Sequence, residues 1–194
     1  MKQRALVLLL VVILSAAGVR AGDARGEVMN ELTVSSLFSD HMVIQRNRPV
    51  PIWGTAPPGA TVKIEFKDEE DHIRVESGGR WRTVLEPVPA GGPYSLAVSV
   101  RDHVVQFEDV LAGDVFLCSG QSNMQWSVKQ IADEEQKEAL AALSDHIRLL
   151  QFPKEGKDSP AEKVNARWQR ATPEAALEFS ALGLFFAQEL RRHH

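Results

Sequence analysis

A single cysteine in 194 residues excludes an intramolecular disulfide, so the fold must be held by burial and not by covalent staples. That residue, Cys118, lies in the apolar run Asp114-Val115-Phe116-Leu117-Cys118 and reads as a small buried core residue, against the alternative of a reactive thiol. Basic runs are also missing. The formal charge is −4, and no stripe of lysine or arginine gathers anywhere. This argues against nucleic acid and against anionic membrane surfaces as partners. No spacing of His, Cys, Asp and Glu reads as a metal site, and no internal repeat or low-complexity tract is evident.

What is present begins with an export signal. Lys2 and Arg4 form a basic start, Ala5 to Leu14 is unbroken and apolar, and small residues follow at Ser15, Ala16, Ala17 and Ala21. The pattern predicts a signal peptide over residues 1–21, cleaved after Ala17 or Ala21. The apolar run is shorter than the ~20 residues of a membrane span, so the rival reading of a retained anchor is disfavoured. The mature chain is therefore expected in the periplasm or outside the cell, more acidic than the whole and without stable membrane insertion.

Residues 22–110 read as a β-sandwich domain. Val62, Ile64 and Phe66 alternate with Lys63, Glu65 and Lys67, and Tyr94, Leu96, Val98 and Val100 alternate in the same way. Pro57-Pro58-Gly59, Ser77-Gly78-Gly79 and Ala90-Gly91-Gly92-Pro93 punctuate the strands. That rhythm predicts roughly seven or eight strands. Trp53 and Trp81 fall within these patterns and read as core packing, with a sugar platform as the alternative.

The pattern changes near Leu111. A buried strand over 114–118, a helix from Ala132 to Leu143, a buried strand from Ile147 to Phe152, a polar linker from Pro153 to Pro160 and a last helix follow. In the last helix Leu182, Phe185, Phe186 and Leu190 form one apolar face, with Ser180 as N-cap. Strand–helix–strand–helix is the opening of an α/β domain with a parallel sheet, here over residues 111–194.

Gly120-Gln121-Ser122-Asn123-Met124 sits where the strand would turn into a helix. A serine there can have its hydroxyl lifted clear of the sheet and its backbone N–H facing a developing oxyanion. Ser122 is thus a candidate nucleophile, although Ser and Asn are also good helix caps. Gln121 and Asn123 would shape the turn or bind substrate. Trp126 would stack on a sugar ring or pack the helix. The string lacks the second glycine of G-x-S-x-G, which disfavours an α/β-hydrolase elbow.

Leu37-Phe38-Ser39-Asp40-His41-Met42-Val43-Ile44-Gln45-Arg46, Pro51-Ile52-Trp53-Gly54, Ala90 to Tyr94, Asp114 to Met124 and Phe179-Ser180-Ala181-Leu182-Gly183 together resemble the bacterial sialate O-acetylesterase family. The resemblance implies an SGNH-type (GDSL-like) carbohydrate esterase preceded by a β-sandwich, with Ser122 as nucleophile and its N–H in the oxyanion hole. It implies acetylated sugars as substrates, relatives acting on acetylated plant polysaccharides being similar at this level, and it requires no metal or organic cofactor. The family's oxyanion Gly and Asn and its Asp-x-x-His block have no match here. The six histidines are His41, His72, His103, His146, His193 and His194, and none follows an aspartate by three positions. Asp-His pairs at 41, 72, 103 and 146 read as surface or turn histidines. The expectation is an N-terminal portion whose esterase domain is incomplete, with two alternatives: a truncated, non-catalytic β-sandwich sugar-binding or interaction module, or a separate chain that supplies the missing Asp and His.

Overall fold

The computed structural model describes residues 31–153 and 164–193. The expected signal peptide and nearly all of the polar linker lie outside the described residues, as does His194. Eight strands occupy the first part: β1 (Thr33–Val34), β2 (Val43–Gln45), β3 (Val50–Thr55), β4 (Thr61–Phe66), β5 (Glu69–Arg74), β6 (Arg80–Leu85), β7 (Gly91–Val100) and β8 (His103–Gly113). They form a three-stranded antiparallel sheet, β1-β3-β6, and a five-stranded mixed sheet, β2-β8-β7-β4-β5, whose β2–β8 pair is parallel.

Alternation does what the sequence predicts. In β4, Val62, Ile64 and Phe66 point inward and are buried, while Thr61 and Glu65 face solvent. Trp81 and Leu85 of β6, Ile52 of β3, and Leu96, Val98 and Val100 of β7 enter the same cluster, to which both sheets contribute. Trp53 does not. It stands exposed on β3 and meets Phe38 edge-on, with ring centroids 5.1 Å apart. A period of two puts it on the face opposite Ile52, which corrects its assignment to the core.

The second part holds α1 (Ser122–Gln125), a 3-10 turn at Val128–Gln130, α2 (Asp133–Ala141), β9 (Arg148–Leu150), β10 (Trp168–Arg170), α3 (Pro173–Glu178) and α4 (Ala181–His193). Its cluster gathers Val128, Ala139, Ile147, Leu149, Ala171, Ala176, Ala181 and Leu184. The helix predicted over 132–143 is α2, with Asp133, Glu134 and Glu135 in its first turn where negative charge suits the helix dipole. Ser180 caps α4 as expected, its Oγ accepting the Gly183 N–H at 3.2 Å.

Three expectations change. Residues 114–118 are extended but join no strand among the described residues, and Cys118 is exposed instead of buried. An apolar run is buried as a strand only where another strand pairs with it, and among the described residues none does. The strand at 147–152 shortens to β9 and pairs antiparallel with β10, so no parallel pairing forms after Gly113 among the described residues. On α4 the buried residues are Ala181, Gly183, Leu184 and Gln188, while Leu182 (51% exposed) and Phe186 (42%) face outward. Leu184 and Gln188 carry α4 onto α2, where Gln188 Nε2 donates to the Ala139 carbonyl at 2.7 Å, while Phe185 of the predicted face packs partly on the same cluster.

Candidate active site

The path to Ser122 starts at the end of β8. Arg46 donates its N–H to the Gly113 carbonyl at 2.9 Å, and Gln45 Oε1 accepts the Val115 N–H at 3.0 Å. The Arg46 guanidinium reaches Asp114 Oδ1 at 2.9 Å. From there the chain runs extended to Gly120, where a Cβ would stand 3.3 Å from Met124 Cβ. Glycine is what lets the turn close against the following helix.

Ser122 is the first residue of α1 and is exposed. The residue in the capping position is Gln121, with no side-chain capping bond, so neither Ser122 nor Asn123 acts as the cap. Among the described residues no hydrogen bond engages the Ser122 hydroxyl. The helix is short but fastened: Met124 and Gln125 both donate N–H to the Gln121 carbonyl, at 3.0 and 3.2 Å. Ser180 Oγ donates to Met124 Sδ at 3.3 Å, and Ala181 donates N–H to the Trp126 carbonyl at 2.9 Å. Trp126 itself is 51% exposed, with its indole open to solvent.

Beside this turn lies an open cleft of about 1360 Å³. Its lining includes Phe116, Gly120, Met124, Gln125 and Phe186, together with Phe38 and Trp53 from the β-rich part. Ser122, Gln121, Asn123 and Trp126 stand next to the lining residues in sequence but are not themselves part of the lining. His146 lines the cleft but is exposed and makes no hydrogen bond to Ser122. His103 is exposed, His72 lies 3.5 Å from Glu70, and His193 lies 2.8 Å from Glu189. Among the described residues no histidine pairs with the serine, and no group of three or more His, Cys, Asp or Glu is placed to hold a metal ion.

One histidine does meet a carboxylate, far from the serine in sequence. His41 Nδ1 donates to Asp109 Oδ2 at 2.7 Å. The same carboxylate accepts from Arg148 Nη2, at 3.2 Å to each oxygen, and from Arg170 Nε at 2.8 Å. Burial would push the Asp109 carboxyl up. The hydrogen bonds from His41 and Arg170 and the charges of Arg148 and Arg170 outweigh it and hold the group below the usual carboxylate range. This cluster has no local sequence signature, because His41, Arg148 and Arg170 lie 68, 39 and 61 residues from Asp109.

The chain is similar to proteins of known activity. The sialate O-acetylesterase of Homo sapiens is 33% identical over 156 residues, a stretch covering 72% of this chain and 29% of that protein. The Mus musculus sialate O-acetylesterase is 31% identical over 154 residues, covering 71% of this chain and 28% of its own length. A carbohydrate acetylesterase from Xanthomonas citri, known from its crystal structure, aligns with a TM-score of 0.78 at 36% identity. The chain belongs to the sialate O-acetylesterase-like carbohydrate esterase family. It spans about three tenths of the length of the curated relatives it matches, and the Xanthomonas citri alignment covers 83% of this chain and 37% of that one. No established family profile matches the chain. Among the described residues no helix is long and apolar enough to cross a membrane.

Proposed function

We propose that this member of the sialate O-acetylesterase-like family serves hydrolysis of acetyl esters on sugar hydroxyls, with Ser122 as nucleophile. A β-sandwich over 22–110 precedes the beginning of an SGNH-type α/β esterase domain over 111–194, and the protein is exported. Ser122 Oγ attacks the acetyl carbonyl while a histidine base takes its proton. The sugar oxygen leaves with a proton, and water then releases acetate from the acetyl-serine. As the first residue of α1, Ser122 has a backbone N–H without an intrahelical partner, free to face the oxyanion. Gln121 and Asn123 flank the reacting group, and Trp126 offers an open aromatic face to a sugar ring. No cofactor is needed for this chemistry.

The observation that carries the reading is the uncommitted, exposed Ser122 hydroxyl on a fastened turn beside the cleft. In the purified protein, Ser122→Ala is expected to lower acetate release from acetylated sialic acid or acetylated oligosaccharide by about 10³-fold or more. Release unchanged by the substitution would overturn it. One observation favours a second reading. Among the described residues no histidine reaches Ser122, as would suit a non-catalytic sugar-binding or interaction module. Sugar binding that persists in Ser122→Ala, with no turnover in either protein, would select that module.

A further inference from the structure

The two hydrophobic clusters meet at a charged junction that the esterase reading does not use. Asp109 is on β8, His41 precedes β2, Arg148 is on β9 and Arg170 is on β10. Each is the chain neighbour of a buried cluster member. Val110 and Met42 belong to the first cluster; Ile147, Leu149 and Ala171 belong to the second. The carboxylate of one cluster's sheet therefore holds guanidinium groups from the other cluster's hairpin.

The backbone is shaped for this contact. Between the pairs Leu96–Phe107 and Tyr94–Val110, β8 carries one more residue than β7, and Asp109 within that bulge has φ 56°. A bulge re-aims a side chain out of the regular alternation, and aspartate is among the few residues that tolerate the left-handed region. Burial then makes the contact obligatory. The Arg148 side chain is only 3% exposed, and its Nε has no partner. Its charge is met by Asp109, with the Asp145 and Ile147 carbonyls completing the shell. A guanidinium so buried needs a counter-charge.

We propose that Asp109 is an electrostatic clasp that locks the β9–β10 hairpin, and with it the second cluster, onto the β-rich part. Asp109, Arg148 and Arg170 all line the cleft, so the clasp also sets how the two parts frame it. Trp168 assists it, its indole N–H donating to the Leu37 carbonyl at 3.1 Å and its backbone N–H to Ser39 Oγ at 3.0 Å. This role stands whether or not Ser122 is a nucleophile.

The test is hydrogen exchange and thermal unfolding of the whole chain in three variants. Asp109→Asn keeps size and backbone preference and removes the charge. It is expected to lower Tm by about 10 °C and to raise exchange at 145–150 and 168–172 at least about tenfold, with β4 and β7 still protected. Asp109→Asn with Arg148→Met removes both charges and is expected to recover most of the loss. Arg170→Gln removes one exposed donor, keeps the Asp109–Arg148 pair, and is expected to raise exchange at the hairpin alone. Three results would each overturn the clasp: an Asp109→Asn protein as stable as the parent, protection lost evenly across β4, β7 and the hairpin, or a double variant no better than the single one.

Discussion

Asp109 shows how much one residue can carry. Its ionised form is favoured by folding, so its folded pKa lies below the ~3.9 of an unfolded aspartate. The stabilisation is complete above about pH 4 and is lost as the pH falls through the lower folded value. Urea unfolding followed from pH 7 to pH 3 should show a loss of stability below about pH 4, and Asp109→Asn should flatten that acid limb. His41, Arg148 and Arg170 are the groups that face the carboxylate. Leu184, fully buried in the second cluster, belongs to the same scale. Truncating it to alanine is expected to cost about 2–5 kcal/mol, measured by urea denaturation. At this scale the sequence placed Ser122 at a helix start, because that signal is a continuous string. It did not reveal the clasp, because His41 and Arg148 lie 68 and 39 residues from Asp109 and nothing local marks the meeting.

Single elements were legible wherever they follow a strict period. The alternation in β4 and β7 and the propensity of α2 fix their types before any packing is considered. Caps behave in the same local way. Ser180 on α4 and Thr172 on α3 each accept the N–H three residues on, at 3.2 and 3.3 Å. Ser180→Ala and Thr172→Ala are each expected to cost about 1 kcal/mol in urea denaturation. The Ser180 change should also loosen α1, since its hydroxyl reaches Met124. Short elements such as β10 and α3 left no periodic pattern. Their existence depends on Trp168 docking on the first part and Ala176 packing in the second. The facing of α4 was misjudged for a related reason. Helical periodicity shows that a bulky apolar face exists, but contact with α2 buries the side that carries Leu184 and Gln188.

For the molecule as a whole, the outstanding feature is apolar surface beside the cleft. Leu117 is 84% exposed, Val115, Phe116, Phe152 and Phe186 are also exposed and line the same cleft, and Phe116 and Phe186 meet edge-on at 5.3 Å. Contiguous surface of this kind binds hydrophobic probes and promotes association. The chain should enhance the fluorescence of an anilinonaphthalene dye and scatter more light as its concentration rises. Leu117→Ser with Phe186→Ser should reduce both signals without lowering Tm, because neither side chain is in a buried cluster.

The sequence by itself determined the alternating strands and their turns, the placement of Ser122 at a helix start, the Ser180 cap and the family resemblance. Each is carried by residues close together in the chain, where backbone preference and period decide the outcome. Tertiary structure decided the rest. It left the run at 114–118 outside any strand, turned β9 antiparallel to β10, put Trp53 outside and Leu184 inside, and drew His41, Asp109, Arg148 and Arg170 to one point. Those outcomes depend on which surface arrives opposite a given residue. A local pattern records that a side chain needs burial or a counter-charge, and packing alone chooses the partner that supplies it.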